Sequence, residues 1–320
     1  MNGGENGNKV DKKYKACYED RKLQQYIKND NKCIKELNEI KEIKYIGSGG
    51  FGYVYEVEKK GKRYALKIVD INEKSNINDV MNELKGFCRT NYLKGISDNF
   101  VTIKEWIYCI SPEKYGNKFI FRKDNESDKS FYMLLELCNY DLKTFLKIND
   151  RLSFYQYKCI MFQLIYGMSA GSYFLNFSHN DIKSENILVK YVDYDRNYQI
   201  DNIYYIIPKE LPIIKISDFT FARFNDTSLN DFSNIIQLLS DIYNDKVGPY
   251  LLIDDYNISQ HNSLINLLQF MIEFITTSSN QSNQEISSFF IECLKNSFFN
   301  SITSHIPSSI PSTHHFSFNI

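Results

Sequence analysis

Gly47-Ser48-Gly49-Gly50-Phe51-Gly52-Tyr53-Val54 is the stretch that decides the fold, because a G-x-G-x-x-G pattern is followed here by a strand. In a dinucleotide-binding fold the same three glycines open a helix. In this sequence Tyr53 to Val57 alternates, Lys60-Gly61-Lys62 predicts a turn, and Arg63 to Val69 predicts a second strand. The glycines therefore belong to a hairpin, which argues against a dinucleotide-binding domain.

Three further motifs follow in a fixed order: Ala65-Leu66-Lys67, then His179-Asn180-Asp181-Ile182-Lys183-Ser184-Glu185-Asn186, then Asp218-Phe219-Thr220. With the glycine loop, they resemble the signature set of eukaryotic-type serine/threonine protein kinases. The lysine at 183 follows the serine/threonine pattern rather than the tyrosine-kinase pattern. The resemblance implies an α+β, two-lobed protein-kinase-like fold, with a strand-rich N-lobe and a helical C-lobe.

The glycine loop and Lys67 suit a bound triphosphate. Glycines let backbone N–H groups approach the phosphates closely, and Lys67 adds a positive charge. A lysine on a buried strand requires a counter-charge, and the resemblance gives that role to Glu83, with Asp79 as the alternative. The resemblance implies a set of ATP-binding residues: Gly47, Ser48, Gly49, Gly50, Phe51, Gly52, Val54, Ala65, Lys67, Glu83, Glu136, Cys138, Asp141 and Leu188.

The stretch from Tyr132 to Lys143 resembles the strand and hinge that join the two lobes of protein kinases. By that resemblance Leu135 is the gatekeeper residue. The backbone of Glu136 and of Cys138 is expected to bond the adenine edge, and Asp141 is expected to face the ribose.

The motif at 179–186 resembles the kinase catalytic loop. The resemblance implies that Asp181 accepts the hydroxyl proton of the substrate and that Lys183 neutralises charge on the transferred phosphoryl group. It gives the binding of two Mg²⁺ ions to Asn186 and Asp218. His179 and Phe219 are expected to pack as supports.

Periodicity along the chain predicts strands first and helices later. Val80, Leu84 and Phe87 predict a helix between residues 78 and 93, and apolar periodicity predicts another from Tyr155 to Leu175. A third helix is predicted from Asn230 to Tyr243, with Asn230 as its cap. The expected organisation is a partly disordered N-terminal arm at 1–40, a kinase-like domain at 41–300 and a disordered tail at 301–320. The N-lobe is expected at about 41–137 and the C-lobe at about 140–300.

Composition limits the partners of this 320-residue chain. Thirty-eight Lys and Arg against 39 Asp and Glu give a net charge of −1, so no general basic field attracts nucleic acid. The sequence has no signal-peptide pattern and no run of about 18 apolar residues, so neither a membrane span nor secretion is expected. We expect an intracellular protein, cytoplasmic or nuclear. Seven cysteines without a C-x-x-C pair predict reduced thiols and no zinc site.

Four features depart from the kinase pattern. Asn180 stands where the family has an arginine that meets a phosphate on the activation loop, and Thr220 replaces the glycine of the metal-binding triplet. Only residues 221–230 separate that triplet from Asp231, which resembles the helix aspartate that braces the catalytic loop. Residues 191–212 enlarge the preceding hairpin, either covering the site in part or forming a surface excursion.

Three functions remain open at this level. The leading one is ATP- and Mg²⁺-dependent phosphoryl transfer to serine or threonine of an unknown protein substrate, without control by activation-loop phosphorylation. The second is a pseudokinase scaffold that binds nucleotide, because the shortened segment could fail to seat a peptide. The third is a small-molecule kinase, which the glycine loop and Lys183 disfavour.

Overall fold

A computed structural model of the protein describes residues 37, 39–49, 52–71, 77–110, 113–115, 118–120, 129–224, 229–250, 255–277, 282–304 and 315–318. The chain divides into two compact units. The first contains the described residues up to Arg89 together with Ile103–Glu136, and the second contains Thr90–Thr102 and the described residues from Leu137 onward. Residues 90–102 thus belong to the second unit, whereas the sequence assigned them to the N-lobe.

The described residues of the first unit form a five-stranded antiparallel sheet and the helix α1 (Ile77–Thr90). A short hairpin of β5 (Glu113–Tyr115) and β6 (Lys118–Ile120) accompanies them. The strands of the sheet are, in spatial order, β1 (Ile40–Gly49), β2 (Gly52–Lys59), β3 (Lys62–Ile71), β7 (Lys129–Glu136) and β4 (Ile103–Ile110).

Side-chain alternation along β3 explains how this sheet is buried. Leu66 and Ile68 belong to a buried apolar cluster with Tyr55 of β2, whereas Lys67 lies between them on the opposite face. In α1, Val80 and Leu84 are buried together with Phe87 one turn later, as the sequence predicted.

The second unit is mainly helical. The helix α3 begins with a reciprocal cap: Ser153 Oγ accepts from the backbone N–H of Gln156 at 3.1 Å, while the Gln156 side chain accepts from Ser153 N at 2.8 Å. The helices are α2 (Leu142–Ile148), α3 (Phe154–Leu175), α4 (Asn230–Ile242), α5 (Asp255–Thr277) and α6 (Asn283–Leu294).

One predicted cap is wrong. Asn230 is the first residue of α4 rather than its cap, and Leu229, which precedes it, makes no side-chain capping bond. Asp231 in the first turn is instead the residue whose side chain accepts backbone N–H groups, as described below. The overall architecture is α+β, with a strand-rich first unit and a helical second unit.

Two small sheets of the second unit carry the loops of interest. The first has the order β13 (Ile213–Ile216), β10 (Ile187–Lys190), β8 (Tyr140–Asp141). The second pairs β9 (Phe177–Ser178) with β14 (Arg223–Phe224). The segment 179–186 therefore connects β9 to β10, and residues 217–222 connect β13 to β14.

The enlarged hairpin is part of the core. It consists of β11 (Arg196–Ile200) and β12 (Ile203–Ile207). Tyr198 and Tyr205 are fully or almost fully buried, with ring centroids 5.4 and 4.6 Å from that of Phe162 in α3. The alternative of a surface excursion is therefore wrong, because these aromatic rings pack against the long helix.

Two strands near the C-terminal end of the sequence pair with the same hairpin. β15 (Thr303–Ser304) pairs with β12, and β16 (His315–Phe318) pairs in parallel with β11. The structure thus differs from the expected disordered tail at these residues, since each strand finds an edge of the hairpin. The expected arm at 1–40 lies outside the described residues except for 37, 39 and 40.

The cysteines also differ from expectation. Cys88 and Cys109 are disulfide-bonded, so the prediction of reduced thiols is wrong for them. Cysteine spacing along the chain does not reveal which thiols the fold brings together. Cys138, Cys159 and Cys293 are not disulfide-bonded. Among the helices that the structure describes, none is both long and apolar enough to cross a bilayer.

Candidate active site

Lys67 and Glu83 form an ion pair within the first unit. Lys67 Nζ, on β3, lies 2.5 Å from Glu83 Oε1 on α1. The side chains are only 13% and 2% exposed, so the pair is shielded from water. The structure thus places Glu83 rather than Asp79 beside the lysine.

The strand register gathers the neighbouring candidates on the same face of the sheet. Lys67 pairs across the sheet with Val54 of β2, and Ala65 pairs with Leu135 of β7. Directly paired residues point to the same side of a sheet, and so do residues two apart on one strand. Val54, Ala65, Leu135 and Lys67 therefore share the face opposite the buried apolar cluster.

The glycines of the loop differ in what the fold requires of them. Gly52 has φ +139°, and a Cβ built on it would lie 2.1 Å from the carbonyl oxygen of Ile68. A Cβ built on Gly47 would meet no atom within 4 Å. The fold itself explains Gly52 but not Gly47. Gly49 pairs with Gly52 and Ser48 is exposed, whereas Gly50 and Phe51 lie outside the described residues.

The residues expected to contact the nucleoside lie on different elements of the fold. Glu136 is the last residue of β7 and is buried, and Cys138 is partly buried. Leu188 lies in β10, the central strand of its sheet. Asp141 caps α2: its Oδ1 accepts from Thr144 N at 2.6 Å. Its expected contact with a ribose stays a prediction, and its observed role is that of a cap.

The catalytic-loop motif forms a compact polar cluster in the second unit. Lys183 Nζ and Asn186 Nδ2 each lie 2.7 Å from the same oxygen of Asp181, Oδ2. Asn186 Nδ2 also donates to the Asp181 carbonyl at 2.9 Å. The hydrogen bond to Asp181 is the main cause that raises the pKa of Lys183, so this ammonium stays charged at neutral pH.

Asp231 braces the loop from α4. Its Oδ2 accepts from His179 N and its Oδ1 from Asn180 N, both at 2.7 Å. The carboxyl group is buried, and burial raises its pKa, while His179 and the two backbone hydrogen bonds oppose the shift. These bonds fix the backbone just before Asp181.

His179 supports the same backbone with its ring. Its Nε2 lies 2.8 Å from the carbonyl oxygen of Ser217, and its Nδ1 accepts from Asp181 N at 3.3 Å. This pairing requires the proton on Nε2. The ring of Phe219 lies 5.8 Å from the imidazole. His179 and Phe219 thus pack where the sequence placed them.

The uncharged side chain of Asn180 forms hydrogen bonds to two neighbouring residues. It adopts φ +63°, a left-handed conformation that asparagine tolerates better than most residues. Its Nδ2 donates to Ser178 Oγ at 3.0 Å and to the carbonyl of Phe221 at 3.2 Å. The sequence identified the missing arginine here but not this link.

Ser217 connects the two candidate metal ligands, Asn186 and Asp218. Its backbone N–H and its hydroxyl both donate to the carbonyl of Asn186, each at 2.9 Å. Asp218, the next residue, is thereby held beside Asn186. Ser217 was not predictable from the sequence, since a serine before an aspartate carries no distinctive signal.

Asn186 and Asp218 suit a hard cation such as Mg²⁺. Asn186 donates its Nδ2 hydrogens to Asp181, so its amide oxygen is the atom of the side chain suited to bind a metal. Asp218 offers carboxylate oxygen atoms, which Mg²⁺ also prefers. The described residues contain no group of three or more His, Cys, Asp or Glu side chains that could hold a metal ion. Mg²⁺ commonly uses one or two carboxylates and completes its shell with phosphates and water.

Comparison with known proteins agrees with this geometry. The protein kinase domain model matches residues 40–239, which is more than half of the chain. The chain belongs to the protein kinase family. It is also 32% identical over 139 residues to the Acanthamoeba polyphaga mimivirus protein named "Putative serine/threonine-protein kinase R400". That match covers 39% of this chain and 30% of the viral protein, so the similarity spans less than a third of the relative.

Proposed function

We propose that this protein transfers the terminal phosphoryl group of ATP to serine or threonine residues of protein substrates. The observation that carries the proposal is the shared contact of Lys183 and Asn186 with one oxygen of Asp181. Such an arrangement directs the other oxygen, Oδ1, to the role of proton acceptor for a substrate hydroxyl.

Each charged residue has a role suited to phosphoryl transfer. Asp181 would accept the hydroxyl proton as the oxygen attacks. Lys183, beside it, would offset negative charge on the transferred group, and its raised pKa keeps it positively charged. Lys67, held by Glu83, would bind the phosphates of ATP.

Two residues would hold the metal. Asn186 and Asp218 would bind Mg²⁺ through oxygen, and Ser217, which bonds the Asn186 carbonyl and directly precedes Asp218, keeps the two residues close together. Mg²⁺, when bound, supplies positive charge that neutralises the phosphates during transfer.

We further propose that this activity does not depend on phosphorylation of the short segment at 221–230. Asn180 bonds directly to the Phe221 carbonyl, so the catalytic loop is joined to that segment without a phosphate. An asparagine offers no charge to receive one. Thr227 and Ser228, the hydroxyl residues of this segment, lie outside the described residues.

The test is transfer of labelled γ-phosphate to a mixed protein pool with Mg²⁺, comparing the wild type with Asp181→Asn. We expect turnover to fall by about 10²–10⁴ in the variant while ATP affinity stays close to that of the wild type, because a base acts in the transition state. Equal labelling by the two proteins would show a contaminating activity. Mg-ATP binding without any transfer would favour the pseudokinase scaffold, and transfer only to small alcohols would favour the small-molecule kinase.

A further inference from the structure

Asp218 stands in a backbone conformation that its neighbours must enforce. Its φ is +62°, in the left-handed region, where a residue other than glycine is held at a cost of about 1 kcal/mol or more. Such a conformation persists only where surrounding contacts determine it. In Asp218 these contacts include a hydrogen bond to its own carboxylate.

Thr220 supplies one such support from two residues downstream. Its hydroxyl Oγ1 lies 2.7 Å from Asp218 Oδ1, and its backbone nitrogen lies 3.4 Å from the same oxygen. The first distance is that of a strong hydrogen bond from a hydroxyl to an ionised carboxylate. Because both contacts meet Oδ1, they restrict rotation of the carboxylate about its Cβ–Cγ bond.

The donor itself is rigidly held. Thr220 is only 4% exposed, and the preceding Phe219 is fully buried. The Phe219 ring contacts those of Phe100 and Phe177, with centroids 6.3 and 5.9 Å away. Because this packing fixes the hydroxyl, the hydroxyl can in turn fix the orientation of the Asp218 carboxylate relative to the core. A glycine at 220 has no side chain with which to do so.

We propose that Thr220 is a positioning residue, whose hydroxyl orients the Asp218 carboxylate to bind the divalent cation that accompanies ATP. The inference rests on the proposed function, since it assumes that Asp218 binds this cation. Partners that orient a metal-binding carboxylate commonly change metal affinity by about 10–100-fold when they are removed. A glycine at position 220 would leave the Asp218 carboxylate free of this contact, whereas the Thr220 hydroxyl would restrict its rotation.

The test compares Thr220→Val, which keeps the shape and removes the hydroxyl, with Thr220→Ser, which keeps the hydroxyl. ATP binding is measured by calorimetry at fixed nucleotide over a series of Mg²⁺ concentrations, so the readout does not depend on turnover. We expect Thr220→Val to raise the Mg²⁺ concentration for half-maximal binding by about 10-fold or more. Thr220→Ser should stay within about 3-fold of the wild type, because its hydroxyl can reach the same oxygen.

Two controls make the result decisive. If Thr220→Val does not fold, Thr220→Ala takes its place in the comparison with Thr220→Ser. An unchanged Mg²⁺ dependence in a folded variant lacking the hydroxyl would overturn the inference, even if its melting temperature were lower. Asp218→Asn separates this failure from that of the proposed function. Mg²⁺-dependent ATP binding that is lost in Asp218→Asn but unaltered in Thr220→Val contradicts only the role of Thr220, whereas a wild type without Mg²⁺-dependent binding contradicts both.

Discussion

The two units hold their functional residues by different means. In the first unit, Lys67 is held by a charge, that of Glu83, in a pair that is almost completely buried. In the second, the supports at positions 180 and 220 are neutral: an amide that bonds Phe221 and a hydroxyl that bonds Asp218. The charged residues match the kinase pattern in both units, whereas the neutral supports at positions 180 and 220 of the second unit do not.

The difference separates two kinds of requirement. A residue that must offset phosphate charge or accept a proton cannot change its chemistry. A residue that only holds another in place can change, provided that the new side chain makes a supporting contact of its own. An asparagine can thus occupy position 180 because its amide spans from Ser178 to the Phe221 carbonyl.

The largest expected effect comes from breaking the charged support. Lys67→Met should lower the free energy of unfolding by about 3–5 kcal/mol, because it removes the positive charge that faces the buried Glu83 carboxylate. Adding Glu83→Gln should restore at least half of that loss while ATP binding stays weak. Denaturant unfolding and the Mg-ATP thermal shift measure the two effects. Asp79→Asn is the matched control, and a loss of stability there equal to that in Lys67→Met would contradict the assignment of Glu83.

The glycines of the first unit test whether its fold and its ligand impose separate requirements. Gly52→Ala should cost about 2–4 kcal/mol of stability, since its Cβ would collide with the Ile68 carbonyl and its φ is unfavourable. Gly47→Ala should change stability by less than about 1 kcal/mol. It should nevertheless reduce the Mg-ATP thermal shift if the phosphates approach that backbone. Chemical denaturation with and without Mg-ATP distinguishes them, and equal destabilisation by both substitutions would oppose this distinction.

The sequence predicts the local parts of this arrangement well. Period-2 alternation in β3 and the 3.6-residue period in α1 follow from residues close together in the chain. Contacts between distant residues were not predictable in the same way. The pairing of β16 with β11, the disulfide bonding of Cys88 and the packing of Tyr205 on Phe162 each require knowledge of which distant segments meet. Asp141 shows a related limit, since one residue type suits both a ribose contact and a helix cap.

A second buried lysine sharpens the contrast between charged and neutral supports. Lys158 of α3 is bonded to Gln260 Oε1 at 2.5 Å and Ser301 Oγ at 2.8 Å, and its Nζ lies 4.6 Å from the centroid of the Phe298 ring. Among the described residues no carboxylate forms an ion pair with it. Burial lowers the pKa of Lys158 from 10.5 to about 8.

The sign of the pH effect follows from that shift. Between pH 8 and 10.5 the unfolded chain binds more protons at this lysine than the folded protein does, so the free energy of unfolding should rise with pH above about 8. The slope from this group is at most about 1.4 kcal/mol per pH unit. Unfolding of the wild type and Lys158→Met from pH 7.5 to 9.5 measures it by difference. Parallel curves for the two proteins would contradict the lowered pKa.

The smallest expected effect concerns phosphorylation near Asn180. A phosphate on Thr227 or Ser228 would find an asparagine at position 180, so it should add at most a weak and salt-screened interaction. Turnover should therefore change by less than about 2-fold on treatment with a phosphatase. Thr227→Ala with Ser228→Ala provides the control for other phosphorylation sites. A large loss of turnover that follows dephosphorylation of these two residues, and that is reproduced by the double variant, would mean that another cation receives the phosphate.

Asn180→Ala distinguishes support by the Asn180 amide from support by a phosphate on the segment. If the amide provides the support, its removal should lower turnover several-fold whether or not the segment is phosphorylated, because the bond to the Phe221 carbonyl is lost in either state.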